Sequence, residues 1–148
     1  MNTPIGKIGI VADEQAIHRI IQAGLDSDVE IAEGENSITC EACRQLNEYF
    51  EGRRKEFSLP LQLKGTEFTL NVWNELRNIP YGEVRSYKEV AEAVGSPKAM
   101  RAVGNANNKN PIPIIIPCHR VIGANGKLVG FDWGLDIKER LLSLESKK

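Results

Sequence analysis

Three consecutive residues, Cys118-His119-Arg120, carry the most reactive chemistry in this chain. A cysteine attacks as its thiolate, and a neighbouring imidazole or guanidinium favours that form. A bare Cys-His pair is more readily a buried structural cysteine that precedes a histidine. The setting here argues for more. An isoleucine-rich run, Ile112 to Ile116, leads into Pro117, and Val121 follows the triplet. Pro111, Pro113 and Pro117 remove backbone donors and fix φ. The spacing therefore predicts a stiff, extended segment that is not a central strand. Its isoleucines must be buried, which holds Cys118 at the edge of a core.

A second thiol pair, Cys40 and Cys43, is separated by one helical turn. Zinc would need two further ligands, and His18 is the only histidine besides His119. The pair reads as two small helix-face residues, and neither a metal nor a cofactor is expected.

The elements that must position Cys118 follow from periodicity and caps. Residues 7–12 and 16–21 predict two strands joined by a turn at 12–15. Residues 26–36 are acidic and predict a loop, with a short strand at 29–31. Ser37 is expected to cap a helix over 38–50, on which Ile38, Ala42, Leu46 and Phe50 recur every four residues. Gly52 ends it, and 53–64 is a connector. Thr66 precedes an amphipathic helix carrying Phe68, Val72, Trp73, Leu76 and Ile79, stopped by Pro80. Ser86-Tyr87-Lys88-Glu89 is a capping box opening a short helix to Val94, ended by Gly95. Ser96-Pro97 predicts the cap and first residue of the next helix. Helix, glycine turn and helix over 86–107 form a helix-turn-helix pattern. The second helix is nearly bare, with Ala99, Ala102, Gly104 and Ala106, so its backbone can approach another surface closely. Residues 123–126 predict a turn, and 136–145 a closing helix.

Composition sets the outer bounds. The chain has 148 residues, 41% hydrophobic and 26% charged, enough for one domain or two small ones. No apolar run approaches the ~18–20 residues of a membrane span, and the first residues lack a signal peptide's basic and apolar regions. Three cysteines are too few for a disulfide scaffold, so a reducing, intracellular setting is expected. Residues 1–60 hold 6 basic and 11 acidic side chains, net −5; residues 61–148 hold 13 and 9, net +4. Within 85–127 seven basic residues face only Glu89 and Glu92. That face suits phosphate contact, but charge alone favours an ordinary solvated surface.

Residues Ile114-Ile115-Ile116-Pro117-Cys118-His119-Arg120-Val121 closely resemble the active-site motif of the O6-alkylguanine-DNA alkyltransferases. The resemblance extends in order through Gly65-Thr66-Glu67-Phe68, Ile79-Pro80-Tyr81-Gly82-Glu83-Val84, Ser86-Tyr87, Pro97 to Gly104, Asn110-Pro111 and Leu141-Leu142, about 80 residues. The opening Thr3-Pro4-Ile5-Gly6-Lys7 is also similar. It implies an α/β N-terminal domain (small antiparallel sheet plus helix, ribonuclease-H-like) over 1–62. A mainly α domain with a helix-turn-helix, binding DNA and transferring the alkyl group, would span 63–148.

The resemblance further implies direct-reversal repair. The alkyl group of O6-alkylguanine, and of O4-alkylthymine, would pass once and irreversibly to Cys118. Cys118 would couple through a water to His119, oriented by Glu145. Tyr87 would donate to guanine N3, and Asn110 would fix the active-site turn. The Cys118 and Val121 carbonyls would accept the guanine amine, and the Asp132 N–H would face O6. Arg101 would fill the place of the flipped base, with Ala99 and Ala102 close to the minor-groove wall and Ser86, Lys98 and Arg120 also on DNA. The partner is then double-stranded DNA, bound by a monomer without a membrane, in the cytoplasm, on a nucleoid or in a nucleus. Over the pocket, Gly130-Phe131-Asp132-Trp133-Gly134-Leu135 keeps the family's aromatic in Phe131 but places Asp132 and Trp133 where small residues are usual. Trp133 would narrow the pocket or anchor the core. Competing readings are a lesion-binding relative without transfer, a helix-turn-helix regulator and a Cys–His hydrolase.

Overall fold

The computed structural model describes residues 1–22, 36–123, 126, 131 and 133–146. The acidic loop with its strand at 29–31, and Asp132, lie outside the described residues. The chain divides into two compact units, Met1–Leu63 and Lys64–Lys148.

The first unit is a three-stranded antiparallel sheet in the order β1 (Asn2–Thr3), β2 (Gly6–Ala12), β3 (Ile17–Gln22), with helix α1 (Ser37–Phe50). The β2–β3 hairpin pairs Ile10 with Ile20, and its register shifts between Val11 and Ala12. Asp13 makes the turn, its Oδ1 accepting the Gln15 and Ala16 amides at 2.7 and 2.8 Å. Ile8, Ile17, Ile20, Ile21, Ala42, Leu46 and Tyr49 are buried. Ser37 does not cap α1. Asn36 does, accepting from the Thr39 amide while the Thr39 hydroxyl accepts from the Asn36 amide. Asparagine caps as well as serine, and the threonine three residues on completes the reciprocal box. The connector is pinned by Gln45, whose amide bonds both N–H and C=O of Ser58. Leu61 forms a parallel bridge with Ile17.

The second unit opens with α2 (Glu67–Leu76), capped by Thr66. The Trp73 indole N–H donates to the Ala106 carbonyl at 2.9 Å, tying α2 to α4 (Met100–Asn108). Between them, strand β4 (Arg85–Ser86) leads into α3 (Tyr87–Ala93), whose Ser86–Glu89 capping box forms as expected. Gly95 takes φ +80° in the turn to α4.

Two sequence expectations fail here. Pro97 does not start α4. It occupies the second position of a turn closed by the Ala99 amide on the Ser96 carbonyl, and α4 begins only at Met100, with no side-chain cap on it. Proline's fixed φ serves that turn position as well as a first helical position. The 110–117 segment is not extended either. It doubles back, with the Ile116 amide on the Ile112 carbonyl at 3.0 Å and Ile114 at φ +76°. A β-branched residue held there costs about 1–3 kcal/mol. Complete burial of Ile112, Ile114 and Ile116 offsets it. The segment ends in a single 3-10 turn, Cys118–Arg120, then β5 (Val121–Ile122), which pairs in parallel with β4. Helix α5 (Leu135–Ser146) turns Lys138, Leu141 and Glu145 inward. No helix among the described residues is long and apolar enough to cross a membrane.

Candidate active site

Asn110 shapes the turn that presents the cysteine. Its Oδ1 accepts the Ile112 amide at 3.0 Å and its Nδ2 donates to the Ile116 carbonyl at 2.7 Å. Pro117 then enters the 3-10 turn, and Cys118, 5% exposed, lies at the margin of the isoleucine core.

Behind the thiol is a buried charge network. His119 is fully buried, and its Nε2 lies 2.6 Å from Glu145 Oε2. Arg120 also reaches Glu145, with Nε to Oε1 at 2.8 Å and Nη2 to Oε2 at 3.0 Å, while its Nη1 donates to the Ile79 carbonyl at 2.7 Å. Burial alone would raise the Glu145 pKa. The bonds from His119 and Arg120 outweigh it and hold the carboxyl at about 2. Burial pushes the His119 imidazole below its usual range, against the pull of Glu145. The pair is therefore a neutral imidazole donating Nε2–H to a carboxylate that Arg120 already neutralises. That tautomer leaves Nδ1 as a lone-pair acceptor, and Nδ1 has no protein partner among the described residues.

Arg120 is thus not where the sequence placed it. It was expected on DNA, but it is 6% exposed and its guanidinium is spent on Glu145 and Ile79, with the Tyr81 ring 5.7 Å away. A local basic stretch reveals a positive charge but not the buried carboxylate that captures it.

Two polar residues escaped the sequence reading. Lys138 is fully buried and donates Nζ to the Val121 carbonyl. Burial lowers its pKa to about 8, and the nearby Cys118 pulls the other way. A charge at a core position of the α5 stripe, in step with Leu141 and Glu145, was the available signal. Asn107, 2% exposed on α4, donates Nδ2 to the Cys118 carbonyl at 3.2 Å. Nothing in its local sequence marks it. Of the two carbonyls expected to take the guanine amine, that of Cys118 already accepts both the Asn107 amide and the Val121 N–H, and that of Val121 accepts the Lys138 ammonium.

Tyr87 is half-buried at the first turn of α3, brought beside the cysteine turn by the β4–β5 pairing. Burial raises its pKa, Cys118 adds to this, and a hydrogen bond from Asn107 opposes it. Arg101, Ala102 and Lys98 are exposed and Ala99 half-buried, while Ser86 spends its hydroxyl on the Glu89 amide. A groove of about 440 Å³ includes Tyr87, Met100, Arg101, Gly104, Asn105 and Asn108 in its lining. Val121 is buried. Trp133 is 7% exposed, its ring edge-on to half-buried Phe131 with centroids 6.4 Å apart. The ring packs and does not project into solvent. Cys40 is exposed and Cys43 half-buried on α1.

Residues 67–147 match the 6-O-methylguanine DNA methyltransferase, DNA binding domain, and residues 1–63 the ribonuclease-like domain of the same family. The methylated-DNA–protein-cysteine methyltransferase of Methanosarcina acetivorans is 52% identical over 146 residues, covering 97% of this chain and 94% of that one. The constitutive enzyme of that name from Bacillus subtilis is 48% identical over 150 residues, covering 97% and 91%. The crystal structure of Mycobacterium tuberculosis OGT in complex with DNA superposes with a TM-score of 0.91 at 43% identity, covering 99% of this chain and 90% of that one.

Proposed function

The chain belongs to the 6-O-methylguanine DNA methyltransferase family, and from that premise we propose that it repairs DNA by moving the methyl group of O6-methylguanine onto its own Cys118. The observation that carries this reading is the 2.6 Å approach of His119 Nε2 to the Glu145 carboxylate. With Nε2–H committed to Glu145, Nδ1 faces the task of accepting a proton from the neighbouring thiol, directly or through one water. The thiolate attacks the methyl carbon. The sulfur–carbon bond forms as the carbon–O6 bond breaks, and the electron pair leaves with the base. Tyr87 meets the charge that develops at guanine N3 with its hydroxyl, a stabilisation in the class worth about 3 kcal/mol. Glu145 is a positioning residue for the imidazole, and Arg120 for Glu145. This replaces the expected contact of Arg120 with DNA.

The alkylated oxygen lies within the duplex, so the base must leave the stack. Helix α4 would enter the minor groove with its small residues against the wall and Arg101 in the vacated place. Minor-groove docking carries little sequence information, which suits damage at arbitrary positions. A thioether is chemically stable, so each molecule acts once; O4-alkylthymine presents the same type of carbon. We place the N-terminal domain at 1–62 and the DNA-binding alkyltransferase domain at 63–148, in a monomer acting in the cytoplasm.

Intact-protein mass after incubation with duplex DNA containing O6-methylguanine tests the reading. Wild type should gain one methylene unit on the peptide bearing Cys118. Cys118→Ser should gain none while still binding the duplex. Transfer by that variant, or DNA binding without any mass gain by wild type, would overturn the proposal.

A further inference from the structure

The turn Pro80-Tyr81-Gly82-Glu83 takes no part in the chemistry described so far, yet both Glu145 and Arg120 rest on it. The Glu83 amide closes the turn on the Pro80 carbonyl at 3.1 Å, and Gly82 takes φ +81° at its third position, where such a turn favours glycine. Glycine is needed there for a second reason, since an added Cβ would lie 3.3 Å from the Glu145 carbonyl oxygen. Glu145 is the next-to-last residue of α5. The last four carbonyls of a helix have no intrahelical partner, and helix ends open readily. The Tyr81 hydroxyl donates to one of these carbonyls, that of Leu144, at 3.4 Å. Arg120 meets the same turn. Its Nη1 donates to the Ile79 carbonyl at 2.7 Å, its Nε and Nη2 both reach Glu145, and its Cζ lies over the Tyr81 ring, 5.7 Å from the centroid. The edges of the guanidinium are thus bonded to oxygen while the ring covers a face. A cation within about 6 Å of a ring centroid is attracted to that face, most strongly when water is excluded, and Arg120 is 6% exposed. Burial and the Glu145 charge raise the Tyr81 pKa against the pull of Arg120, so the phenol stays a neutral donor.

We propose that Tyr81 is a positioning residue for methyl transfer: its ring holds the Arg120 guanidinium on Glu145, and through Glu145 it fixes the His119 proton on Nε2. The inference rests on the alkyltransferase reading above. Without the ring, water reaches the face of the guanidinium, and the Arg120–Glu145 pair at the end of α5 loses its common support. A carboxylate displaced from Nε2 no longer selects one tautomer. In the other tautomer Nδ1 carries the proton and cannot accept one from Cys118.

Single-turnover transfer from duplex DNA containing O6-methylguanine is measured for wild type, Tyr81→Phe and Tyr81→Leu, with imidazole nitrogen NMR shifts of the same proteins at pH 8. His18 is the only other histidine, so two rings need assignment. Wild type should show well-separated His119 nitrogens, with Nδ1 bare and Nε2 protonated. Tyr81→Leu should slow transfer about tenfold, the worth of one buried cation–π contact, and draw the two shifts together. Tyr81→Phe keeps the ring and should rescue transfer to within about threefold of wild type, with wild-type shifts. A merely structural role would lower the melting temperature without moving the nitrogen shifts of the folded protein. Wild-type transfer by Tyr81→Leu, slowed transfer with unmoved shifts, or a Tyr81→Phe variant as slow as Tyr81→Leu would each overturn the proposal. Should Tyr81→Leu melt too low to assay, Tyr81→Met is carried through the same comparison with the same outcomes. Absence of transfer in wild type would instead refute the alkyltransferase reading on which this one rests.

Discussion

Lys138→Met should separate the stability of this protein from pH in a defined window. The ammonium is fully buried, with the Val121 carbonyl as its hydrogen-bond acceptor. Its pKa falls from 10.5 to about 8, chiefly through burial. At 1.36 kcal/mol per unit, that depression corresponds to about 3 kcal/mol. The sign follows from proton counts. Below pH 8 both folded and unfolded chains hold the proton, and the folded chain bears the full cost of a buried charge. Between pH 8 and 10.5 the folded chain releases it while the unfolded chain keeps it, so stability from this group rises with pH. Methionine has neither the charge nor the titration. It also leaves the Val121 carbonyl without that donor, a loss of about 1–3 kcal/mol. At pH 7 the variant should therefore equal wild type or exceed it by up to about 2 kcal/mol. By pH 10.5 wild type should have gained about 3 kcal/mol on the variant. Urea unfolding of both proteins at pH 7, 8, 9 and 10, each in a Cys118→Ser background to remove the coupled thiol, measures the difference, and titrating groups far from Lys138 cancel in it. A variant clearly less stable at pH 7, or a difference that stays constant across the window, would refute the reasoning.

Three further outcomes follow from the same geometry. Glu145 is held at about 2 against an ordinary 4.5, so its stabilisation, about 3 kcal/mol, is present above pH 4.5 and lost as pH falls towards 2; Glu145→Gln should lack that component in acid unfolding titrations. Arg101 is exposed on α4, and Arg101→Ala should slow transfer from duplex DNA more than from the free modified base, with equal losses on both substrates showing that it does not fill the vacated stack. Trp133→Gly removes a buried ring packed edge-on to Phe131, which should cost about 3–5 kcal/mol in unfolding free energy. It should also raise reactivity with O6-benzylguanine about tenfold or more if the ring narrows the pocket, whereas a destabilised variant with unchanged benzyl reactivity would assign Trp133 to packing alone.

What the sequence by itself determined was local. The capping box at Ser86–Glu89, the cap at Thr66, the Asp13 turn of the β2–β3 hairpin and the glycine stop after α3 are each settled by residues within four positions of one another. The burial of the isoleucine run and the helical stripe carrying Glu145 were legible for the same reason. Errors arose where one residue type serves two local structures: Pro97 in a turn instead of a helix start, Asn36 capping in place of Ser37. The tertiary structure decided the rest. Arg120 and Glu145 are 25 residues apart, Lys138 and Val121 are 17 apart, and Asn107 reaches Cys118 across 11. Charge and periodicity reveal that such groups exist, but not which partner each will find. A buried polar group must be satisfied by whatever the fold brings within about 3 Å. That proximity is set by the packing of α3, α4 and α5 around the cysteine turn, and no short window of sequence contains it.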